Sequence, residues 1–269
     1  EILGDLYQRH PDVIGFSCYI WNIGLIKELL RELPKVLPDT DLWLGGPEVS
    51  YETQRLFEEF PKLRGVMAGE GEETFKELLA YYVNMHKGQE ADWGGPMRLE
   101  DIPGLVLGSG ATAPRALTDM DGLPFLYSSE KSLEEFANRI IYYETSRGCP
   151  FRCGYCLSSI DKRVRIRNLE TVKKELQFFL DHKVPQVKLI DRTFNCSRSR
   201  AMEIWSYLKE HDNGITNFHF EIAADILSQQ ELELLKGMRP GLMQFEIGVQ
   251  TTNGAVLEEI GRAVNGTQK

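Results

Sequence analysis

The sequence predicts an α/β protein with two parts, an open doubly wound sheet followed by a (β/α) barrel. Before about residue 83, short apolar runs alternate three times with amphipathic helical patterns, which is typical of a doubly wound sheet. From about residue 139, four further strand–helix units follow one another, and repeats of this length favour a barrel. Residues 84–138 are rich in Pro and Gly turn signals and predict a packed linker with a small hairpin.

The first part is predicted to hold three parallel strands, and a helix follows each of them. The predicted strands are Asp12–Ser17, Asp41–Leu44 and Gly65–Ala68. The first helix begins after Asn22, a residue suited to capping, and its apolar positions up to Leu33 share one face. The other two helices run from about Ser50 to Phe60 and from about Gly71 to Tyr82.

The linker and the second part are predicted in the same way. In the linker, Leu105–Leu107 is expected to form a hairpin with the region of Ala116–Leu117. The predicted barrel strands are Arg139–Thr145, Gln186–Asp191, Asn217–Ala223 and Met243–Val249. The helices between and after them are Leu169–His182, about Arg200–Glu210, Gln229–Met238 and Asn253–Arg262.

The composition narrows the class of protein. The chain has 269 residues, 42% hydrophobic and 26% charged, as in ordinary globular proteins. Five cysteines, three of them clustered, do not resemble a disulfide framework and indicate a reducing compartment. Apolar runs are shorter than a membrane span and no signal-like segment is present, so we expect a cytoplasmic protein without a membrane partner. A net charge of −9 argues against nonspecific binding of nucleic acid.

The most informative stretch holds Cys149, Cys153 and Cys156 in a CxxxCxxC spacing between glycines. Thiolates are soft ligands for iron–sulfur clusters, zinc or copper(I), and three of them leave one metal position of a cubane for a non-protein ligand. A structural zinc site and a set of reduced buried thiols are the alternatives. Zinc usually takes a fourth protein ligand, and the nearest downstream candidates are His182 and Cys196.

With Tyr155 before the last cysteine, this loop resembles that of the radical S-adenosylmethionine (SAM) enzymes. The resemblance implies that the three cysteines bind a 4Fe–4S cluster whose open iron is chelated by SAM. It implies reductive cleavage of SAM to a 5′-deoxyadenosyl radical that abstracts hydrogen from a substrate. It also implies a reductant such as flavodoxin or ferredoxin, and a six-unit partial barrel of which four strands are visible here.

Barrel chemistry is located at the carboxyl ends of the strands, which here present several acids. By the resemblance, Asp191 would support the amino group of SAM. Glu221 and Glu246 would face its ribose or methionine part, with Gln250 nearby. Each acid equally suits a capping or salt-bridge role. Cys196 is either a substrate-side thiol or a small core residue.

The loops after the first two strands resemble those of cobalamin-binding domains. Ser17 and the pair Gly45–Gly46 match the family's spacing, with Tyr19 in place of the usual leucine. The resemblance implies that small residues are needed because the nucleotide tail of cobalamin lies against the backbone. The family's Asp-x-His-x-x-Gly motif would lie upstream of Glu1. A Gly-Gly pair after a strand is also common in sheets that bind no cofactor.

The resemblance covers almost the whole chain, which is identified as a member of the cobalamin-binding-domain radical SAM proteins, in a subgroup with an uncharacterised C-terminal domain. We expect a fragment with a cobalamin-binding-like domain at 1–83, a linker at 84–138 and a partial radical SAM barrel at 139–269. The expected function is methylation of an unactivated carbon in a small-molecule or natural-product substrate. The alternatives are a cobalamin-independent rearrangement or cyclisation, and a non-catalytic iron–sulfur or zinc module. The basic run Lys162–Arg167 is either a solvated face or a contact for an anion.

Overall fold

A computed structural model describes residues 1–87, 94–128, 133–134, 136, 139–159 and 163–262. The chain divides into two compact units, residues 1–118 and 119–269. The predicted domain boundaries near residues 83 and 138 differ from this division after residue 118, and they stay a prediction. Lys162 of the basic run lies outside the described residues. Among the described helices, none combines the length and the apolar character needed to span a bilayer.

Unit 1 is an α/β sheet unit. Its helices are α1 (Ile2–Arg9), α2 (Ile23–Val36), α3 (Thr53–Glu59) and α4 (Glu72–Lys87). Its strands are β1 (Val13–Ser17), β2 (Asp41–Gly45), β3 (Leu63–Met67), β4 (Leu105–Leu107) and β5 (Gly110–Ala111). They form one sheet in the order β1-β2-β3-β4-β5, in which β1, β2 and β3 are parallel and β4 is antiparallel to β3.

Helices cover both faces of this sheet, as the doubly wound prediction requires. Along β2, Leu42 and Leu44 belong to the core formed with α1, α2 and α3. Trp43, whose side chain points the opposite way, packs in a second core with Leu78 of α4. Because β1, β2 and β3 are parallel, their carboxyl ends lie at one edge of the sheet, where open α/β sheets bind their ligands.

Two local predictions in unit 1 are wrong. Leu105–Leu107 pairs with β3 and with the adjacent Gly110–Ala111 instead of the region of Ala116–Leu117. A tight turn brings nearby residues together at a smaller entropic cost than a longer loop. Asn22 makes no capping bond to α2. Its amide donates to the carbonyl oxygen of Ser17 at 2.9 Å and accepts from the backbone N–H of Tyr19 at 2.8 Å, so it braces the loop after β1.

Unit 2 is built around a parallel sheet. Its strands are β6 (Ile141–Tyr143), β7 (Ser146–Arg147), β8 (Arg165–Ile166), β9 (Gln186–Leu189), β10 (Asn217–Ile222) and β11 (Met243–Ile247). Its helices are α5 (Leu169–Asp181), α6 (Arg198–Glu210), α7 (Gln229–Lys236) and α8 (Gly254–Glu259). The main sheet has the order β11-β10-β9-β6 with every neighbouring pair parallel, while β7 and β8 form a small antiparallel pair.

The two faces of this sheet differ in polarity. Phe218 and Phe220 of β10 are fully buried in a core with Trp205 of α6. The alternate residues, among them His219 and Glu221, point to the opposite face. This sequential parallel sheet with helices along one face is the open part of a (β/α) barrel. It is not closed by the described strands.

Candidate functional site

Glycine-dependent geometry fixes the start of the cysteine loop. The loop follows β6 at the carboxyl edge of the parallel sheet, and its first turn passes through β7. Gly148 has a φ of +99°, and a Cβ at this position would lie 2.2 Å from the carbonyl oxygen of Arg163. Only glycine fits a backbone contact this close. Cys149 and Cys153 are buried and Cys156 is half-buried.

Asp191, just beyond β9, holds the start of this loop through hydrogen bonds. Its carboxylate accepts hydrogen bonds from the backbone N–H of Thr145 at 2.8 Å, from the Thr145 hydroxyl and from the Ser146 hydroxyl at 2.6 Å. Burial raises the pKa of the Asp191 carboxyl, and the bonds from Ser146 and Thr145 oppose that rise. Because Thr145 and Ser146 already donate hydrogen bonds to the buried carboxylate, the geometry favours a role of Asp191 in holding the cysteine loop over the predicted contact with SAM.

The three thiols suit a cubane cluster in their chemistry and setting. Within the described ranges, no group of three or more His, Cys, Asp or Glu side chains is placed to hold one metal ion. A 4Fe–4S cluster does not require such a group, because each thiolate binds a different iron. The loop offers soft sulfur donors, with two thiols buried and the third half-buried. This donor set fits a cluster held through three sulfurs.

The turn after α8 is hydrogen-bonded to the cysteine loop. The backbone N–H of Gly154 donates to the carbonyl oxygen of Ile260 at 2.8 Å. Gly261 has a φ of +68°, and a Cβ there would lie 2.7 Å from the carbonyl oxygen of Arg152. The guanidinium of Arg262 donates to the hydroxyl of Tyr155 at 3.1 Å. The predicted site residue Tyr155 is thus joined to a segment far away in the chain.

A small cavity of about 160 Å³ opens beside this contact, at the carboxyl ends of β10 and β11. Its lining includes Asp225, Ile247, Gly248, Thr251, Leu257 and Arg262. The cavity therefore combines one cation, one carboxylate and apolar walls next to the cysteine loop.

The predicted acids Glu221 and Glu246 lie on the polar face of the sheet, where they surround a lysine. Lys188 is 2.8 Å from the Glu246 carboxylate and 3.8 Å from that of Glu221. The hydrogen bond from Lys188 lowers the pKa of Glu246. Burial is the main cause that raises the pKa of Glu221; Glu246 adds to it, and the charge of Arg192 opposes it. Gln250 is exposed in the loop beyond β11, with a φ of +61°.

The predicted cobalamin residues lie together at the carboxyl edge of the unit 1 sheet. The backbone N–H of Cys18, next to Ser17, donates to the carbonyl oxygen of Gly45 at 2.7 Å. Gly46 has a φ of +105°, and a Cβ there would lie 2.6 Å from the carbonyl oxygen of Cys18. A Cβ on Gly45 would lie 3.3 Å from the end of the Met67 side chain. The glycine pair therefore lets two loops pack closely, whether or not a cofactor is bound.

Exposed apolar side chains surround this edge. Ile20 and Trp21 are 77% and 76% exposed, and Tyr51 in the neighbouring loop is 66% exposed. The rings of Tyr19 and Trp21 stack with centroids 4.5 Å apart. Large exposed apolar groups at a ligand-binding edge indicate a surface that a ligand or partner covers.

Two protein families match consecutive parts of the chain. The B12 binding domain family matches residues 1–79, and the radical SAM superfamily matches residues 143–267. This chain is a radical SAM protein with a B12-binding domain. The predicted family is thereby confirmed. The predicted cofactor set of a 4Fe–4S cluster, SAM and cobalamin is confirmed at the level of these two families.

Relatives of this radical SAM protein include methyltransferases. It is 29% identical over 212 residues to the cobalamin-dependent radical SAM methyltransferase TokK of Streptomyces tokunonensis, covering 74% of this chain and 30% of TokK. It is 27% identical to the uncharacterized methyltransferase PH0819 of Pyrococcus horikoshii, covering 96% of this chain and 56% of that protein. The chain thus spans only about a third to about half of these relatives.

A solved structure shares the fold of this radical SAM protein. It is that of TsrM, a radical SAM methyltransferase from Kitasatospora setae, solved with a tryptophan substrate and a SAM analogue bound. The TM-score is 0.68 at 18% identity, and the match covers all of this chain and 54% of TsrM. The predicted fold class is confirmed by this match together with the two families.

Three residues at the site of this radical SAM protein are not among the predicted site residues. Thr193 lies 3.4 Å from the thiol of Cys149, although 44 residues separate them in the chain. Asp225 and Arg262 line the cavity beside the cysteine loop. The position of Asp225 just after β10 was an available signal. Arg262 follows a helix, so its proximity to Tyr155 had no local signal in the sequence.

Proposed function

We propose that Cys149, Cys153 and Cys156 bind a 4Fe–4S cluster and that the chain cleaves SAM reductively. The observation that carries the proposal is the glycine-braced loop of three thiols at the carboxyl edge of a parallel sheet. When bound, the cluster would supply the electron for cleavage of the SAM sulfonium. The protein's part is to hold the cluster, orient SAM and limit access of water.

The cavity next to the loop is the proposed SAM site. The Arg262 guanidinium is suited to the methionine carboxylate, since charged hydrogen bonds between these two groups are strong. Asp225, just after β10, would accept from the ribose hydroxyls or from the methionine amino group. Tyr155 would keep Arg262 in place through the hydrogen bond between them. Glu221 and Glu246 would face the ribose or methionine part of SAM, with Gln250 nearby.

We further propose that unit 1 binds cobalamin at the carboxyl edge of its sheet. Ser17, Gly45 and Gly46 leave little side-chain volume there, so the nucleotide tail of cobalamin would approach the backbone. The exposed rings of Trp21 and Tyr51 would pack against the apolar surface of the cofactor. Burial of each ring favours binding by about 1.5–3 kcal/mol.

The proposed reaction is cobalamin-dependent methylation of an unactivated carbon. It is supported by the combination of the two domains and by the cobalamin-dependent methyltransferase TokK among the relatives. The substrate would be a small molecule or a natural product, and an electron carrier such as flavodoxin or ferredoxin would reduce the cluster. A cytoplasmic location suits an oxygen-sensitive cluster.

The test is anaerobic reconstitution of the chain with iron and sulfide, followed by metal analysis and paramagnetic resonance of the reduced protein. We expect about four irons per chain and a signal that changes when SAM is added. Release of 5′-deoxyadenosine under reducing conditions would then be measured. One tightly bound zinc without a cluster would contradict the proposal and favour a structural site.

Cys153→Ala provides the control for the assignment of the ligands. The variant is expected to lose the cluster and 5′-deoxyadenosine formation together. Cys196→Ala is the matched comparison, because this thiol lies outside the three-cysteine loop. It should retain the iron content and the cleavage activity, and full cleavage by Cys153→Ala would contradict the assignment.

A further inference from the structure

We infer that the hydroxyl of Thr193 donates a hydrogen bond to the thiolate of Cys149 in the cluster-bound protein, and that this bond raises the reduction potential of the cluster. The inference rests on the proposed function, because it requires a cluster at Cys149. Thr193 Oγ1 lies 3.4 Å from Cys149 Sγ, and both side chains are buried. This distance is within the range of hydrogen bonds to sulfur.

The position of Thr193 is held by the loop that follows β9. The side chain of Asn195 makes two hydrogen bonds of 2.9 Å with the backbone of Ala223, which fasten this loop to the end of β10. The backbone N–H of Cys196 donates to the carbonyl oxygen of Thr193 at 3.1 Å. Phe194 lies in the core of unit 2. The loop therefore has little freedom to move Thr193 away.

The position of Cys149 is held from the other side. Gly148 allows the close backbone contact with Arg163, and Asp191 binds the hydroxyl of Ser146 at 2.6 Å. The distance between Thr193 and Cys149 is thus set by two separately braced segments. A contact that is fixed in this way persists when the metal site is loaded, as expected of outer groups that orient metal ligands.

The direction of donation follows from the protonation of sulfur. In the metal-free thiol, either group can donate, and the Thr193 hydroxyl is also 2.8 Å from the carbonyl oxygen of Arg192. A cluster-bound cysteine is a thiolate and has no proton to donate. Hydrogen bonds to charged acceptors are about twice as strong as those between neutral groups. The hydroxyl proton therefore turns from the carbonyl of Arg192 to the sulfur of Cys149.

This bond acts on the electronics of the cluster. One-electron reduction adds negative charge, part of which resides on the sulfur ligands. A donor directed at one of them stabilises the reduced state more than the oxidised state, so the potential becomes less negative. Thr193 is then a positioning residue that acts through Cys149 and makes the cluster easier to reduce.

The experiment compares Thr193→Val with Thr193→Ser in the full reconstituted chain. Valine keeps the shape of threonine and removes the hydroxyl, whereas serine keeps the hydroxyl. Redox titration followed by paramagnetic resonance gives the midpoint potential of each cluster, and iron and sulfide contents are measured alongside. We expect a more negative potential for the valine variant at unchanged iron content. The serine variant should stay close to the wild type.

Equal potentials for the wild type and Thr193→Val, with both clusters intact, would overturn the inference. Thr193→Ala covers the case in which the valine variant takes up no iron. If neither of these variants holds iron while Thr193→Ser does, the hydroxyl serves to hold the loop, and the tuning role is overturned. Absence of a cluster in the wild type would instead contradict the proposed function, so the two failures are distinguishable.

Discussion

Removal of the Asp191 carboxylate should destabilise unit 2 without direct loss of a SAM contact. In Asp191→Ala, the buried N–H of Thr145 loses its acceptor, which costs about 1–3 kcal/mol. The hydroxyls of Thr145 and Ser146 lose charged acceptors and recover part of the loss by rotation, about 1 kcal/mol each. Release of a buried carboxylate offsets some of this. We expect a net loss of about 3 kcal/mol, a large share of a typical stability of about 5–15 kcal/mol.

The assay is urea unfolding of the reduced, metal-free chain, with pulse-labelling hydrogen exchange and mass spectrometry as the readout. Peptides from β9 and β10 report on unit 2, and peptides from β2 serve as an internal control in unit 1. Asp225→Ala is the matched variant, since Asp225 is exposed in the proposed SAM cavity. Its unfolding free energy should change by less than about 0.5 kcal/mol, whereas its affinity for SAM should fall. A loss below about 1 kcal/mol in Asp191→Ala would refute the supporting role.

Three further predictions concern the glycine turn, the cavity and a buried thiol. Gly46→Ala should destabilise unit 1 by about 1–3 kcal/mol in urea unfolding and weaken cobalamin binding, whereas Gly71→Ala, with open space around its added Cβ, should change stability by less than about 1 kcal/mol. Arg262→Gln should weaken SAM binding by about 10–100-fold in equilibrium binding, and Arg262→Lys by less; equal affinities would contradict the carboxylate contact. Cys18 is fully buried, and burial raises the pKa of its thiol to about 11. Since the thiolate is the reactive form, iodoacetamide at pH 8 should label Cys156 well before Cys18 in the metal-free chain, and comparable rates would show that the thiol is accessible.

Elements with a strong local pattern were predictable. The strand predicted over Asn217–Ala223 is observed as Asn217–Ile222, since the period of a strand is visible in a few consecutive positions. The helix predicted over Leu169–His182 is observed as Leu169–Asp181. Boundaries that depend on contacts outside the element were less accurate. The helix predicted from Ser50 begins at Thr53, because the chain first makes a short 3₁₀ turn over Pro47–Val49.

Long-range pairs had no signal in the sequence. Arg262 and Tyr155 are 107 residues apart and meet only because α8 ends against the cysteine loop. The resemblance to the radical SAM enzymes predicted that Asp191 supports the amino group of SAM. Only the fold shows that its carboxylate already accepts hydrogen bonds from Thr145 and Ser146.

The sequence by itself determined the alternation of strands and helices and the clustering of three thiols in one loop, since hydrophobic period and thiol spacing are local properties. Only the tertiary structure showed that Gly148 and Gly46 allow close backbone contacts with Arg163 and Cys18. Tertiary structure alone decided which polar groups are free to meet a cofactor and which are already paired. That outcome depends on how separate segments pack, and the residues of a short stretch do not contain this information.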